Sequence, residues 1–220
     1  MPEASSGSPP SGQQSKLAFA RGWEPDASDL PSERAKRFRV PRIDARHVYL
    51  RAIGPDDYMY LQLVETSTEL ASTGRFRGAT PSPEQWIHMT WEGTVAQFIV
   101  VSKTRDQPVG IVRLSDANFQ DGHARLTVTK FDPRGRRPVM LLGAGLFIDY
   151  VFGCWDLRKL YMHVPEYNFD DVASGLERFF VIEGRLRQHL AQGGNLWDQF
   201  LLAIYRDPWQ AREDLRFRTL

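Results

Sequence analysis

The chain has very little cysteine, with a single residue, Cys154, among 220. One cysteine excludes an internal disulfide framework and argues against a cysteine-rich metal site. Because Cys154 ends an apolar helical stretch, we expect a small buried side chain there. The five histidines show neither H-x-x-x-H nor H-E-x-x-H spacing, so we expect no metal ion.

A strong charge of one sign and long apolar runs are also lacking. The formal net charge is +1, which gives no basis for a nucleic-acid partner. No run approaches the roughly 18 apolar residues that a membrane-spanning helix needs, and the N-terminus has no basic segment followed by an apolar one. We therefore expect neither nucleic acid nor membrane as a partner, and a cytoplasmic location.

The composition changes along the chain and divides it into three segments. Residues 1–45 are rich in Ser, Pro and charged residues with isolated apolar ones, which predicts a disordered arm or one that drapes over the domain. Residues 46–211 carry regular apolar patterns, typical of one folded domain. Residues 212–220 form the predicted C-terminal tail.

Apolar periodicity within the domain predicts the order β, α, α, three strands, α, β, α, two strands. The predicted strands are 48–51, 96–103, 108–116, 126–131, 159–164, 185–191 and 197–205, and the predicted helices are 57–71, 83–91, 138–153 and 170–178. This order predicts an α/β (α+β) fold, with helices packed on a mostly antiparallel sheet. We expect the core to contain Trp86, Phe98, Val100, Ile111, Leu126, Val128, Leu142, Ile148, Phe152, Leu160 and Phe200.

The stretch from Leu126 to Tyr150 is central to the sequence, because it combines a strand, a tight basic turn and a helix. A helix N-terminus presents free N–H groups and a partial positive charge, which suit a phosphate. Arginine side chains in the turn add guanidinium groups that match phosphate geometry. These residues are Arg134, Arg136 and Arg137. The alternative is a solvated basic turn between two core elements.

Several short motifs follow in the second half of the chain. They are D-Y-V-F at 149–152, V-P-E-Y-N at 164–168, E-G-R-L-R at 183–187, Gly194 with Asp198 four residues on, and D-P-W at 207–209. In this order they resemble the GNAT superfamily of acyl-CoA-dependent N-acyltransferases. The resemblance covers roughly residues 47–209 and is greatest to the branch that acetylates ribosomal-protein N-termini and related amines.

The resemblance implies a sheet of about seven strands flanked by about four helices, in which the fourth and fifth strands splay apart around acyl-CoA. The co-substrate would be acetyl-CoA or another acyl-CoA, and the acceptor a primary amine of a small molecule or protein. The protein would be a monomer or homodimer. The implied cofactor-binding residues are Phe131, Asp132, Arg134, Gly135, Arg136, Arg137, Val139, Met140 and Asn168.

The chain departs from the pattern of the family at two places. The late glycines of the phosphate-binding turn are missing: Pro138 removes a donor, and the Met140 side chain is expected to crowd the site. Where many relatives carry a catalytic Glu at the start of the fourth strand, this chain has Arg125 and no carboxylate. These departures favour an alternative function, that of a catalytically degenerate binding, regulatory or scaffold protein with the GNAT fold.

Candidate catalytic residues follow the strand at 159–164. Asp171 and Ser174 would donate or accept a proton, or would only cap a helix. Asn168 would hydrogen-bond the pantetheine arm, or would cap the short helix after it.

Three residues earlier in the chain are further candidates. His123 would accept a proton near neutral pH, as a histidine side chain can, or else lies in a turn as a surface residue. Glu65 and Glu69 lie one turn apart on the first helix, where they would bind an amine or form a solvated face.

We predict that the residues before about Arg42 are dispensable for folding, because their composition cannot build a core. Deleting residues 1–36 should leave the thermal unfolding midpoint nearly unchanged. A drop of many degrees would show that the arm is structural.

Overall fold

The computed structural model describes residues 42–67, 76, 78–132, 137–176 and 178–212, with the backbone alone at Arg137. Most of the predicted arm, almost all of the predicted tail, Glu69 and the turn residues 133–136 lie outside these described residues. The boundaries of the three predicted segments therefore stay predictions.

Eight strands and four helices are present in the described part of the chain. The strands are β1 (Arg42–Asp44), β2 (Val48–Ala52), β3 (Thr94–Ser102), β4 (Gln107–Asn118), β5 (His123–Lys130), β6 (Lys159–Pro165), β7 (Val181–Gln192) and β8 (Asn195–Tyr205). The helices are α1 (Asp57–Glu65), α2 (Pro83–Trp91), α3 (Arg137–Cys154) and α4 (Arg206–Gln210). Two 3-10 turns, Glu166–Asp171 and Ala173–Gly175, follow β6.

The strands form one sheet in the order β1-β2-β3-β4-β5-β6-β8-β7. All neighbouring pairs are antiparallel except β5 and β6, which are parallel. Parallel neighbours need a long crossover connection, and here α3 supplies it. The predicted mixed, mostly antiparallel sheet with flanking helices is therefore confirmed, with eight strands rather than about seven.

The parallel pair is also the short one. β5 and β6 are paired at His123–Lys159, Ala124–Leu160 and Arg125–Tyr161 and then part. Residues 126–130 of β5 and 162–165 of β6 continue without pairing to each other. We call the space between these two half-strands the slot.

Helices cover both faces of the sheet, so the sheet has two apolar cores. On one face, α3 packs on β2–β6 and β8, with Phe147, Val151 and Leu160 fully buried. On the other face, α1 and α2 pack on β3 through Leu61 and Trp86. α2 begins with a capping box, in which Ser82 accepts from the Gln85 N–H and the Gln85 side chain accepts from the Ser82 N–H.

α3 approaches the sheet closely because glycine faces bulky side chains at two places. A Cβ added at Gly143 would lie 2.4 Å from Val100 Cγ1, and one at Gly110 would lie 2.5 Å from Met140 Sδ. Gly143 thus allows α3 to contact β3, and Gly110 makes room for Met140. Within the described residues, no helix is long and apolar enough to span a membrane.

The end of the domain holds α3 in place. Arg206 donates to the carbonyls of Phe152 and Leu157 at 2.9 and 2.6 Å, around the C-terminal end of α3. Trp209 Nε1 donates to Asp149 Oδ1 at 2.8 Å. The motifs D-Y-V-F and D-P-W therefore contact each other, and their contact is structural.

Several details differ from the prediction. β1 and α4 were not predicted, and the helix predicted at 170–178 is wrong, because 3-10 turns replace it. Gly175 packs under Phe180, and the chain bends there rather than continuing a helix. Cys154 is exposed rather than buried, since it lies on the solvent side of the last turn of α3. Most predicted core residues are buried, whereas Val128, Leu142 and Phe200 are half-buried.

We predict that Ile148→Ala lowers the free energy of unfolding by about 2–5 kcal/mol, because Ile148 is 3% exposed in the core under α3. Leu141→Ala on the same helix is the control. Leu141 is 51% exposed, so its truncation should change stability by no more than about 0.5 kcal/mol. Urea unfolding measures both, and equal costs would contradict this placement of α3.

Candidate functional site

The slot leaves part of an internal strand without a neighbour. Residues 126–130 of β5 pair with β4 on one side, but no described residue pairs with them across the slot. Backbone N–H and C=O groups in this position are a template for any extended ligand that carries amide groups. The slot can therefore bind a linear amide-containing molecule as a substitute strand.

β5 ends at Lys130 and α3 begins at Arg137, so the N-terminus of α3 lies near the end of the slot that is farthest from the paired residues. We call this end of the slot the wide end. The first four N–H positions of a helix have no partner inside the helix, and here they fall on Arg137, Pro138, Val139 and Met140. Pro138 has no N–H, so three donors remain, and the partial positive charge of the helix favours an anion there.

Met140 does not crowd this end of the helix, so that expectation is wrong. Its side chain is 3% exposed and packs into the core against Gly110. Val139 is half-buried and packs on the same core. Both residues can present a backbone N–H at the helix end while their side chains stabilise the fold.

The end of β5 contacts α1, on the face of the sheet opposite to α3. The half-buried Phe131 ring meets the Tyr60 ring of α1 edge-on, with centroids 5.8 Å apart, and Asp132 is exposed. Arg134, Gly135 and Arg136 lie outside the described residues, and so does the Arg137 side chain. Their predicted role in binding phosphate stays a prediction.

The 3-10 turns after β6 form the other border of the wide end. Asp171 Oδ2 lies 3.6 Å from Lys130 Nζ, so this ion pair joins the turn to the last residue of β5. Asn168 lies inside the first 3-10 turn and is exposed. The helix predicted after it does not form, so Asn168 does not cap that helix. Ser174 is exposed in the second turn. Of the predicted site residues after β6, Asp171 thus lies beside the end of β5.

Glu65 is buried and does not lie on a solvated helix face, so that alternative is wrong for this residue. It is 6% exposed, and its carboxylate accepts from Trp86 Nε1 at 3.1 Å and from Arg113 Nη2 at 3.4 Å. Arg113 Nε in turn donates to Gln97 Oε1 at 3.1 Å. This buried network joins α1 and α2 to β3 and β4.

A carboxylate does lie beside Arg125, but it comes from the neighbouring strand. Asp116 is in a bulge of β4 with a φ of 50° and forms an ion pair with Arg125. Arg125 also lies within 3.5 Å of the Ser115 hydroxyl. The sequence did not show that Asp116 lies beside Arg125, because a bulge changes which side chains become neighbours across two strands.

Four side chains form a cluster at the closed end of the β5–β6 pair. Glu183 accepts from Lys159 Nζ at 2.8 Å and from the Tyr161 hydroxyl at 2.9 Å, and also from Tyr205. Burial opposes ionisation of Glu183, but these hydrogen bonds outweigh it and lower its pKa. The Glu of the E-G-R-L-R motif therefore holds β6, β7 and β8 together. His123 lies at this end too, with its ring 5.7 Å from that of Tyr161.

One further side chain borders the slot and was not singled out from the sequence. His163 is exposed on β6, beyond the last residue that pairs with β5. The available signal was its position in K-L-Y-M-H-V, where it shares a strand face with Tyr161. In the described part of the chain, no group of three His, Cys, Asp or Glu side chains is placed to hold a metal ion.

We predict that Glu65→Ala lowers the free energy of unfolding by about 1–3 kcal/mol or more, because the buried Trp86 and Arg113 donors lose their acceptor. Glu92→Ala, an exposed carboxylate after α2, is the control and should change stability by no more than about 0.5 kcal/mol. Urea unfolding distinguishes them. A Glu65→Ala cost as small as that of the control would contradict the buried network.

No protein-family description and no curated protein matches this sequence. Solved structures do match its fold. A spermidine N-acetyltransferase from Vibrio cholerae in complex with CoA and spermine is 20% identical, with a TM-score of 0.60 over 74% of this chain and 98% of that one. A GCN5-related N-acetyltransferase from Brucella melitensis is 19% identical, with a TM-score of 0.58 over 80% and 86%.

A third solved structure matches more of this chain. It is a probable acetyltransferase of the GNAT family from Chromobacterium violaceum, 18% identical, with a TM-score of 0.60 over 93% of this chain and 100% of that one. At this level of identity the likeness concerns the fold. The chain therefore has the fold that these GNAT acetyltransferases share.

Proposed function

We propose that the protein is an N-acyltransferase, which moves an acyl group from acetyl-CoA or another acyl-CoA to a primary amine. The observation that carries this proposal is the slot, in which β5 and β6 part after three paired residues beside the N-terminus of α3. It combines an unpaired strand edge with an anion-binding helix end.

The chemistry of acyl-CoA matches both features. Its pantetheine arm is extended and contains two amide groups, which can pair with residues 126–130 as a strand does. Its pyrophosphate is anionic and suits the N–H groups at the start of α3 and the arginines of the basic turn. The thioester would then lie farther along the slot, where the acceptor amine approaches from the face that α1 and α2 cover.

The amine attacks the thioester carbonyl directly. Holding the two reactants together in the slot supplies much of the rate, because a bimolecular step becomes effectively unimolecular. The Vibrio cholerae structure contains spermine, a small amine, whereas the motifs at 149–152, 164–168 and 183–187 resemble the branch that acetylates ribosomal-protein N-termini. Both a small amine and a protein N-terminus are therefore candidate acceptors.

Three observations favour the alternative of a non-catalytic binding or scaffold protein. Asp171, predicted as a catalytic residue, lies within 3.6 Å of Lys130, and Glu65 is buried in a network with Arg113 and Trp86. Pro138 also lacks one of the donors that a phosphate site uses. In contrast, the placement of Met140 in the core removes one of the two objections to CoA binding.

We predict that the intact protein binds acetyl-CoA, with heat in calorimetry and a higher unfolding midpoint. Arg134→Ala, Arg136→Ala and Arg137→Ala should each weaken binding by about tenfold or more, since a charge-assisted hydrogen bond contributes about 1.5–3 kcal/mol and each decade corresponds to about 1.4 kcal/mol. Added salt should also weaken binding.

Arg158→Ala is the matched control for these arginine variants. Arg158 precedes β6, where its N–H donates to Gly122 O at 2.7 Å near the start of β5, so it lies at the other end of the parallel pair from α3. Its loss should leave acetyl-CoA affinity unchanged. If acetyl-CoA and longer acyl-CoAs give neither heat nor a thermal shift with the folded wild type, the acyltransferase proposal is wrong and the scaffold alternative holds.

A further inference from the structure

His163 is the first side chain on its face of β6 beyond the point where β5 and β6 separate. Arg125–Tyr161 is the last pair of the parallel ladder, and side chains alternate along a strand, so Tyr161 and His163 share a face. Leu160 and Val164, on the opposite face, are buried. His163 therefore borders the slot on the face of the sheet that α1 and α2 cover.

The charged and titratable groups around His163 come from three other strands. Arg125 of β5, Asp116 of β4 and His189 of β7 all act on its imidazole. Partial loss of water, first, and the positive charge of Arg125, second, lower the pKa of His163; His189 adds to this shift, and Asp116 opposes it. The lowered pKa favours the neutral imidazole of His163, and in the described residues no hydrogen bond occupies its ring.

The carboxylates near the slot are already engaged. Asp116 forms an ion pair with Arg125, Asp171 lies 3.6 Å from Lys130, and Glu65 accepts from Trp86 and Arg113. Each of these carboxylates is paired with a cation, which it would have to release before it could take a proton from an amine. In contrast, the His163 imidazole on the border of the slot has no ion pair or hydrogen bond within the described residues that it would have to release.

We propose that His163 is the catalytic residue that accepts the proton of the attacking amine, an inference that rests on the proposed acyltransferase function. The amine nitrogen bonds to the thioester carbonyl carbon and becomes positively charged, which makes its N–H acidic. The imidazole of His163 takes that proton. The C–S bond then breaks, CoA leaves as a thiolate, and the imidazolium returns the proton to it directly or through water. The products are the amide and CoA, with His163 neutral again.

His123, the histidine that the sequence suggested, does not fit this role. It pairs with Lys159 at the closed end of the parallel ladder, and its ring lies edge-on to Tyr161. The two histidines therefore lie on opposite sides of the point where the strands part, and only His163 has the slot beside it.

The first test uses acetyl-CoA alone as the probe and needs no acceptor. With histidine labelled with 13C, NMR should show the His163 imidazole titrating below its usual value of about 6.5. Saturation with acetyl-CoA should shift its resonance, whereas that of the exposed His47 should stay in place. Arg125→Gln should raise the His163 midpoint, because the positive charge that lowers it is removed.

The outcomes of the first test separate the two proposals. If acetyl-CoA binds and the His163 resonance and midpoint do not change, the role of His163 is overturned and the acyltransferase function stands. If acetyl-CoA does not bind, both proposals fail together.

The second test follows release of the CoA thiol from acetyl-CoA, with spermidine as the amine probe and water as the nucleophile in its absence. A general base contributes about 10²–10⁴-fold, so His163→Gln should lower kcat by that factor while acetyl-CoA affinity is unchanged. With water as the nucleophile, which has no ammonium proton to lose, the wild-type rate should rise with pH and level off above a midpoint below about 6.5, and His163→Gln should lose this rise; with spermidine, the rates are compared after division by the fraction of free amine. His47→Gln should behave as wild type. A wild-type profile in His163→Gln, or its loss in His123→Gln instead, would contradict the proposal.

Discussion

The parallel pairing of β5 with β6 is the constraint on which the rest of the molecule depends. Two parallel neighbours cannot be joined by a tight turn, so the chain must cross over through α3, which places a helix N-terminus beside the end of β5. Because the pairing ends after Arg125–Tyr161, the same constraint leaves a strand edge open next to that helix. A helix end and an open strand edge together make a site that neither element makes alone.

The stabilising interactions of the domain lie around this slot rather than across it. Phe131 holds the end of β5 to Tyr60 on one face, and Gly110 and Gly143 let α3 pack closely on the other. At the closed end, Glu183 joins β6, β7 and β8 through Lys159 and two tyrosine hydroxyls. The Lys130–Asp171 ion pair joins the two sides of the wide end, and both of its side chains are partly exposed to a ligand there.

The sequence predicted the fold well because its motifs are largely the contacts that hold the fold. Asp149 and Trp209 hydrogen-bond to each other, Glu183 accepts from Lys159, and Asp198 accepts from the Gln188 N–H. Such pairs depend on residue identity and spacing, which can be read from a sequence. The site was harder to predict, because the surroundings of Met140, Glu65 and His163 depend on the direction in which each side chain points. The bulge at Asp116 and the 3-10 turns in place of a helix likewise gave their own side chains positions that a regular strand or helix would not.

The central claim is that the slot holds acyl-CoA as a substitute strand, and hydrogen–deuterium exchange tests it most directly. Acetyl-CoA should slow exchange at the amides of residues 126–130 that face the slot and at Val139 and Met140, because the pantetheine and the pyrophosphate would accept from or cover these groups. Other amides of the sheet should exchange as before. Binding of acetyl-CoA that protects a different region, and leaves residues 126–130 unchanged, would contradict the account.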